Sequence, residues 1–209
     1  MTASTHPQTG MTLDALRRTI RRSPQQIPAQ RCQLCDAPIP DAHRHMLDEQ
    51  AGAVLCVCHP CQLLFHREAA SRGHYRLIPD RRLRLPAFGT ARLGVPVGLA
   101  FFVVQPDGTV VANYPSPVGV TQWEVDSTAW QAVQRERPVL RDIAPAVEAV
   151  LVNTTRGADE HWIVPIDDCY RLVAVIRRQW RGLSGGSRVW PAIDRFFAEL
   201  SSQERNSNE

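Results

Sequence analysis

The chain has 209 residues, a formal net charge of +3 and six cysteines. This length allows one domain with a good core, or a core domain plus a small module. The longest apolar stretch, LGVPVGLAFFVV, is about a dozen residues and contains a proline, so it is too short to span a bilayer. The N-terminus lacks the apolar segment of a secretory signal, and we therefore predict a cytoplasmic protein.

The charge is distributed unevenly. Residues 1–94 carry 13 arginines against 7 acidic residues, and residues 95–209 carry 11 against 14. The chain contains no lysine, and we interpret this bias as codon preference. We interpret its charged residues as solvated surface positions. Nucleic acid is not an expected partner, because the arginines of the cysteine-rich segment are not interleaved with aromatic side chains on which bases could stack.

Residues 1–28 are predicted to form a short basic helix and a linker. Leu13, Leu16 and Ile20 recur at helical spacing, and the neighbouring arginines lie mostly off that apolar stripe. The following SPQQIPAQ is typical of a linker. We expect this helix to dock on its own protein.

Residues 29–70 are predicted to form a small zinc-ribbon-like module that binds a metal ion. Five of the six cysteines lie here, and clustered cysteines in a cytoplasmic protein favour metal binding over disulfides. Two Cys-x2-Cys turns separated by about twenty residues are a recognised zinc pattern, since together they supply a tetrahedral set of sulfurs at about 2.3 Å. We predict one structural Zn²⁺ held by Cys32, Cys35, Cys58 and Cys61.

Three further side chains of this module are candidates for the same site. On a strand, Cys56 and Cys58 would point to one face, so Cys56 is expected to lie beside the metal as a buried thiol or to replace one ligand. His43 and His45 alternate with Arg44 on a presumed strand. Each is expected to face solvent or lie beside the site, with service as an extra ligand as the alternative.

Iron is the alternative to zinc. Four sulfurs in a tetrahedron hold either metal, and CHPC resembles the second knuckle of the rubredoxins, which are electron carriers with one iron. The first knuckle lacks the glycine and aromatic residues usual in rubredoxins. An iron–sulfur cluster is a further alternative, but the spacing matches neither common ferredoxin pattern.

Residues 71–204 are predicted to form a mixed α/β domain, which makes the whole chain α+β. HYRLIP is a predicted strand, and VGLAFFVVQPDGTVVANYP predicts an antiparallel hairpin because PDG joins two β-rich runs. STAWQAVQRER predicts a helix capped by Ser127 and ended by Pro138. VEAVLVN and HWIVPI are predicted strands.

Two helices are predicted at the C-terminal end of this domain. The first is DDCYRLVAVIRRQW, capped by Asp167 or Asp168 and ended by SGGS. Its predicted apolar stripe consists of Tyr170, Val173, Ile176 and Trp180. The second is VWPAIDRFFAEL, and residues 205–209 are predicted to be a disordered tail.

Cys169 is the other cysteine considered for chemistry. A first-turn position would favour its thiolate through the helix dipole, whereas Asp167 and Asp168 oppose a second negative charge. We interpret Cys169 as a buried structural residue and find no flanking signature for a triad with His161 and Asp167. The sequence also lacks a P-loop, a dinucleotide fingerprint and a nucleophile elbow, so no catalytic residue is predicted.

Several segments together resemble an uncharacterised bacterial family whose members are often encoded beside actinobacterial-type, high-affinity nickel–iron hydrogenases. These segments are RCQLCDAPIPDAHRHMLD, CVCHPCQLLF, YRLIPDRRLRL, VPVGLAFFV, HWIVPIDDCYRLVAVIRRQWRGLSGG and VWPAIDRFF, within roughly residues 30–200. The resemblance implies a partner among hydrogenase subunits or maturation factors. We therefore predict a non-catalytic metal-binding accessory protein for hydrogenase assembly, with a rubredoxin-like electron carrier as the alternative.

Overall fold

The computed structural model describes residues 30–65, 74–94, 98–182 and 185–207. The predicted basic helix and linker of residues 1–28 lie outside the described residues. Within them, nine strands form two antiparallel sheets accompanied by four α-helices, with the cysteine cluster near the N-terminal end. The predicted α+β class is confirmed. None of the helices in these segments is both long and apolar enough to cross a membrane.

A small three-stranded sheet carries the cysteine-rich segment. Strands β1 (Arg44–Asp48) and β2 (Ala53–Val57) form a hairpin, and helix α1 (His59–Phe65) follows directly. Strand β3 (Tyr75–Leu77), which lies in the predicted HYRLIP segment, pairs with the other side of β1. β1 is therefore the central strand of this sheet.

A six-stranded antiparallel sheet forms the rest of the scaffold, in the order β4-β9-β8-β5-β6-β7. Its strands are β4 (Leu83–Arg84), β5 (Leu99–Val104), β6 (Val110–Ser116), β7 (Gly119–Glu124), β8 (Glu148–Asn153) and β9 (Glu160–Pro165). The predicted β5–β6 hairpin is confirmed, and Gly108 adopts φ 87° in its turn. The two predicted strands after it correspond to β8 and β9.

Helix α2 (Ser127–Glu136) packs on one face of the large sheet. The predicted cap was wrong by one residue: Asp126 is the N-cap, and its carboxylate accepts a hydrogen bond from the Ala129 backbone N–H at 2.9 Å. The helix ends at Glu136, before Pro138, as predicted.

Helices α3 (Ile166–Gln179) and α4 (Gly186–Ser207) pack on the opposite face. The predicted cap of α3 was wrong, because the helix begins at Ile166 and both aspartates lie inside its first turn. Its buried stripe includes Cys169 and Leu172, whereas Tyr170 is 47% exposed. Helix α4 continues through Ser207 and so includes part of the predicted tail.

The two sheets share a hydrophobic core. Leu47 of β1 and Ile78, just after β3, are buried in the core formed by the large sheet with α3 and α4. A separate small core inside the cysteine-rich segment consists of Cys32, Ile39, Met46, Val57 and Cys61. The packing of β1 against this helical face places the side chains of β1 next to the first turn of α3.

Candidate metal centre

The first knuckle is a tight reversal that contains Cys32 and Cys35. The backbone N–H of Cys32 donates to the Ala37 carbonyl at 2.8 Å, and the N–H of Asp36 donates to the Cys32 carbonyl at 2.8 Å. Asp36 adopts φ 60°, a conformation that aspartate tolerates better than most residues. Arg31 donates to the Asp36 carboxylate at 3.0 Å, an exposed hydrogen bond that links the two ends of the turn.

The second knuckle joins β2 to α1. Cys58 follows the last residue of β2, and Cys61 lies in the short helix α1. The two knuckles are tied together through Gln33: its backbone N–H donates to the Cys56 carbonyl at 2.9 Å, and its side-chain oxygen accepts from the Cys56 N–H at 2.7 Å. The β1–β2 hairpin therefore brings the two turns to one place.

The structure brings together Cys32, Cys35, Cys58 and Cys61, whose sulfur atoms all lie within 4.8 Å of one another. The Cys35 and Cys58 sulfurs are 3.6 Å apart, and all four residues are free thiols. Cys32 and Cys61 are buried, whereas Cys35 is exposed. Four sulfurs in this arrangement are able to bind a metal ion that accepts tetrahedral thiolate ligands.

The thiols of this cluster have very different proton affinities. Burial disfavours the Cys32 thiolate, but three backbone N–H groups that donate to its sulfur lower its pKa to about 6. Those donors belong to Cys58, Leu34 and Cys35. Burial, followed by contacts with the other sulfurs, raises the pKa of Cys61 well above its ordinary value. A divalent cation would offset the repulsion that prevents all four thiolates from forming together.

The three extra candidates form a separate group. One ligand atom each from His43, His45 and Cys56 lies within 4.8 Å of the others. Cys56 is opposite His45 in the β1–β2 register. Because β2 ends at Val57, the strand alternation that was expected to place Cys56 and Cys58 on one face does not extend to Cys58.

Sequence reasoning missed Asp167 as a member of this region. Its carboxylate lies 2.6 Å from Nδ1 of His45 and so joins α3 to β1. Next to it, Asp168 is buried and accepts from Nε of Arg82 at 2.7 Å, and burial raises its pKa despite that arginine. No local signal in the sequence could have found the Asp167 contact, because it depends on how the two sheets pack.

An open cavity of about 650 Å³ lies between the cysteine-rich segment and the first turn of α3. His43, His45 and Asp167 line it together with Cys58 and Arg82. Groups from the cysteine-rich segment and from α3 therefore face a common solvent-accessible space.

Cys169 does not form a triad with His161. Cys169 lies on the buried face of α3 and is completely buried. This burial raises the pKa of its thiol, and the negative charges of Asp168 and Asp167 raise it further. His161 packs in the core on the other face of the large sheet, where Nε2 lies 3.2 Å from the Phe88 carbonyl oxygen. The interpretation of Cys169 as a buried structural residue agrees with these surroundings.

Comparison with known proteins identifies one family. The family of unknown function DUF5947 matches residues 31–204, a range that includes both knuckles and the large sheet. No curated protein and no protein of solved structure matches the chain.

Proposed function

We propose that this chain, which belongs to the DUF5947 family of unknown function, is a non-catalytic metal-binding accessory protein that acts through contacts with another protein. The observation that carries the proposal is the set of four cysteine sulfurs within 4.8 Å of one another. Its test combines a metal analysis with a genetic assay. We assign the protein to the cytoplasm, where thiols stay reduced and available to a metal.

Zinc is the metal we propose, in a structural role. Four cysteine ligands leave no open position, which is the arrangement of structural zinc sites. Among the described residues of the cysteine-rich segment, the core contains five buried residues, and two of these are Cys32 and Cys61. So small a core contributes little stability, and metal binding would supply much of the folding free energy of the segment.

The partner we propose is a nickel–iron hydrogenase subunit or maturation factor, on the strength of the sequence resemblance described above. The side chains that favour a protein contact lie next to the cysteine cluster. Leu63 and Leu64, on the same helix as the buried Cys61, are each 59% exposed. Exposed leucines beside a rigid metal-bound turn are suited to a hydrophobic protein contact.

The genetic test uses a host that carries this gene and makes a nickel–iron hydrogenase. We expect deletion of the gene to lower hydrogenase activity, and the wild-type gene to restore it. The variant with Leu63→Ser and Leu64→Ser should fold and bind metal but restore less activity. Val118→Ser, at a 94% exposed position far from the cluster in sequence, is the matched control and should restore activity fully. Full hydrogenase activity in the deletion strain would contradict the proposed partner.

One observation favours the alternative of a rubredoxin-like electron carrier. Cys35 is exposed, so an iron ion in the cluster would have a ligand at the protein surface, from which an electron could pass to a partner. Tetrahedral sulfur ligation suits iron as well as zinc. Iron would show sulfur-to-metal absorption bands that bleach on reduction with dithionite, whereas the zinc protein is colourless.

A further inference from the structure

Three side chains beside the cysteine cluster have the geometry of a second metal site. His45 lies on β1 with Cys56 directly opposite it on β2, and His43 is the residue just before β1 begins. Their ligand atoms lie within 4.8 Å of one another. Ligands of a tetrahedral zinc ion are separated by about 3.5 Å, so small side-chain rotations would close the site.

His43 uses one of its two ring nitrogens for contacts with the backbone. Its Nδ1 lies 2.9 Å from the Pro40 carbonyl oxygen and 3.1 Å from that of Asp41. Carbonyl oxygens only accept hydrogen bonds, so Nδ1 donates, and in the neutral imidazole Nε2 has a free lone pair. That Nε2 is buried and has no hydrogen-bond partner within the described segments. Buried polar nitrogens normally have a hydrogen-bond partner or a metal ion, and a bound metal ion would be the partner of this Nε2.

His45 is oriented by a carboxylate of helix α3, which packs on the large sheet. Its Nδ1 lies 2.6 Å from Oδ2 of Asp167, in the first turn of α3, which leaves Nε2 for another partner. A carboxylate that holds the far nitrogen of a histidine is the usual support of a metal-bound imidazole. The two histidine rings are edge to face with centroids 4.8 Å apart, and one nitrogen of each ring lies within 4.8 Å of the other and of the Cys56 sulfur.

We propose that His43, His45 and Cys56 bind a second Zn²⁺ ion, with Asp167 positioning His45. Three protein ligands leave the fourth position open, as in zinc sites that bind water or a small ligand. Both histidines line the 650 Å³ cavity, so water or one donor atom of a small molecule from that cavity completes the coordination. The site does not depend on whether the four-cysteine cluster holds zinc or iron.

The first test is a metal count on full-length protein that has been saturated with Zn²⁺ under reducing conditions and dialysed. Wild type should retain two metal equivalents per chain. The double variant with His43→Ala and His45→Ala should retain one, and so should Cys56→Ser. His59→Ala is the matched control, because His59 lines the same cavity but does not belong to the group, and it should retain two.

The second test uses Co²⁺ as a coloured probe of the second equivalent. In metal-free wild type, Co²⁺ should produce thiolate-to-cobalt absorption from both sites, and Cys56→Ser should lose the part due to the second equivalent while keeping the part due to the cysteine cluster. Asp167→Asn should keep the site but weaken its affinity by about 10–100-fold, since only the support of His45 changes. Circular dichroism checks that every variant is folded.

The outcomes separate this site from the proposed structural zinc. Suppose the wild type retains one metal equivalent. If Cys61→Ser loses this metal and the double histidine variant keeps it, the second site is overturned. If the double histidine variant loses it and Cys61→Ser keeps it, the result supports the second site and contradicts the proposed function. Two equivalents in both Cys56→Ser and the double histidine variant would also overturn the second site.

Discussion

Cys61 and Cys169 are both buried cysteines, with 6% and 0% of their surfaces exposed, but their neighbours differ. Cys61 lies among three other sulfurs, whereas Cys169 packs among apolar side chains under α3. Burial raises the pKa of both thiols, so neither is a reactive thiolate on its own. Only Cys61 is placed where a metal ion could stabilise its thiolate.

The two residues therefore make a matched pair for mutation. Cys61→Ser should remove the metal of the cysteine cluster and unfold the small sheet, because a hydroxyl is a poor replacement for a thiolate ligand. Cys169→Ala should keep the metal and lower the free energy of unfolding by about 1–2 kcal/mol through lost packing. Elemental analysis and urea denaturation measure these effects. Metal loss in Cys169→Ala, or full metal in Cys61→Ser, would contradict the ligand assignment.

His161 predicts a pH-dependent contribution to stability. It is 2% exposed, and burial lowers its pKa below the ordinary 6.5, against the opposing effect of Asp159. In the interval below pH 6.5 the unfolded chain binds more protons at this residue than the folded chain, so the free energy of unfolding falls as the pH falls.

The variant His161→Phe should lose this part of the pH dependence, because the substituted ring cannot be protonated. The measurement is urea denaturation of wild type and variant at about pH 7.5 and about pH 5.5. The decrease in unfolding free energy between the two pH values should be smaller in the variant. Equal decreases would show that His161 does not titrate in this range.

At the residue scale, the sequence predicted the cluster of four cysteines because each Cys-x2-Cys turn fixes its local geometry. It named His43, His45 and Cys56 as extra candidates for the four-cysteine site but did not predict that they form a group of their own. That grouping depends on the β1–β2 register, which places Cys56 opposite His45. Asp167 could not be predicted, since it reaches His45 only after the two sheets pack together.

At the scale of single elements, helix α2 offers a test of capping. Asp126 accepts the Ala129 N–H at 2.9 Å, whereas Ser127 is the first residue of the helix. Asp126→Ala should lower the free energy of unfolding by about 1 kcal/mol, because that N–H loses its acceptor. Ser127→Ala is the control and should have a smaller effect. A larger effect for Ser127→Ala in urea denaturation would contradict the assignment of the cap.

The sequence predicted elements well where local signals were strong. The β5–β6 hairpin combines two β-rich runs with a PDG turn, and β8 and β9 are apolar. It missed β4, which has only two residues, and β7, whose side chains are mostly exposed and lack an apolar face. The start of α3 was missed because Pro165 and Ile166 continue the apolar pattern of β9 into the helix.

At the scale of the whole molecule, the cysteine-rich segment is not isolated from the large sheet. Leu47 and Ile78 are buried in the core under α3 and α4, and His45 contacts Asp167 across the same boundary. The sequence predicted two separate regions from the cysteine spacing and the β-rich pattern. It could not predict their packing, because tertiary contacts between distant segments have no local signature.

Metal removal should unfold the cysteine-rich segment and spare the large sheet. The small core contains two of the four cluster cysteines, whereas the large sheet has buried side chains on both faces. A strong chelator under reducing conditions should therefore open trypsin cleavage after Arg31 and Arg44, with most of the circular dichroism of the large sheet retained. Protein with its metal should resist cleavage at these arginines. Equal cleavage with and without the chelator would contradict a structural role for the metal.

The most direct test of the central claim is the metal content and visible spectrum of the double variant with His43→Ala and His45→Ala, purified anaerobically. This variant isolates the four-cysteine cluster from the second site. A structural zinc site predicts one zinc per chain and a colourless protein. One iron per chain, with sulfur-to-iron absorption that bleaches with dithionite, would contradict that claim and identify an electron carrier.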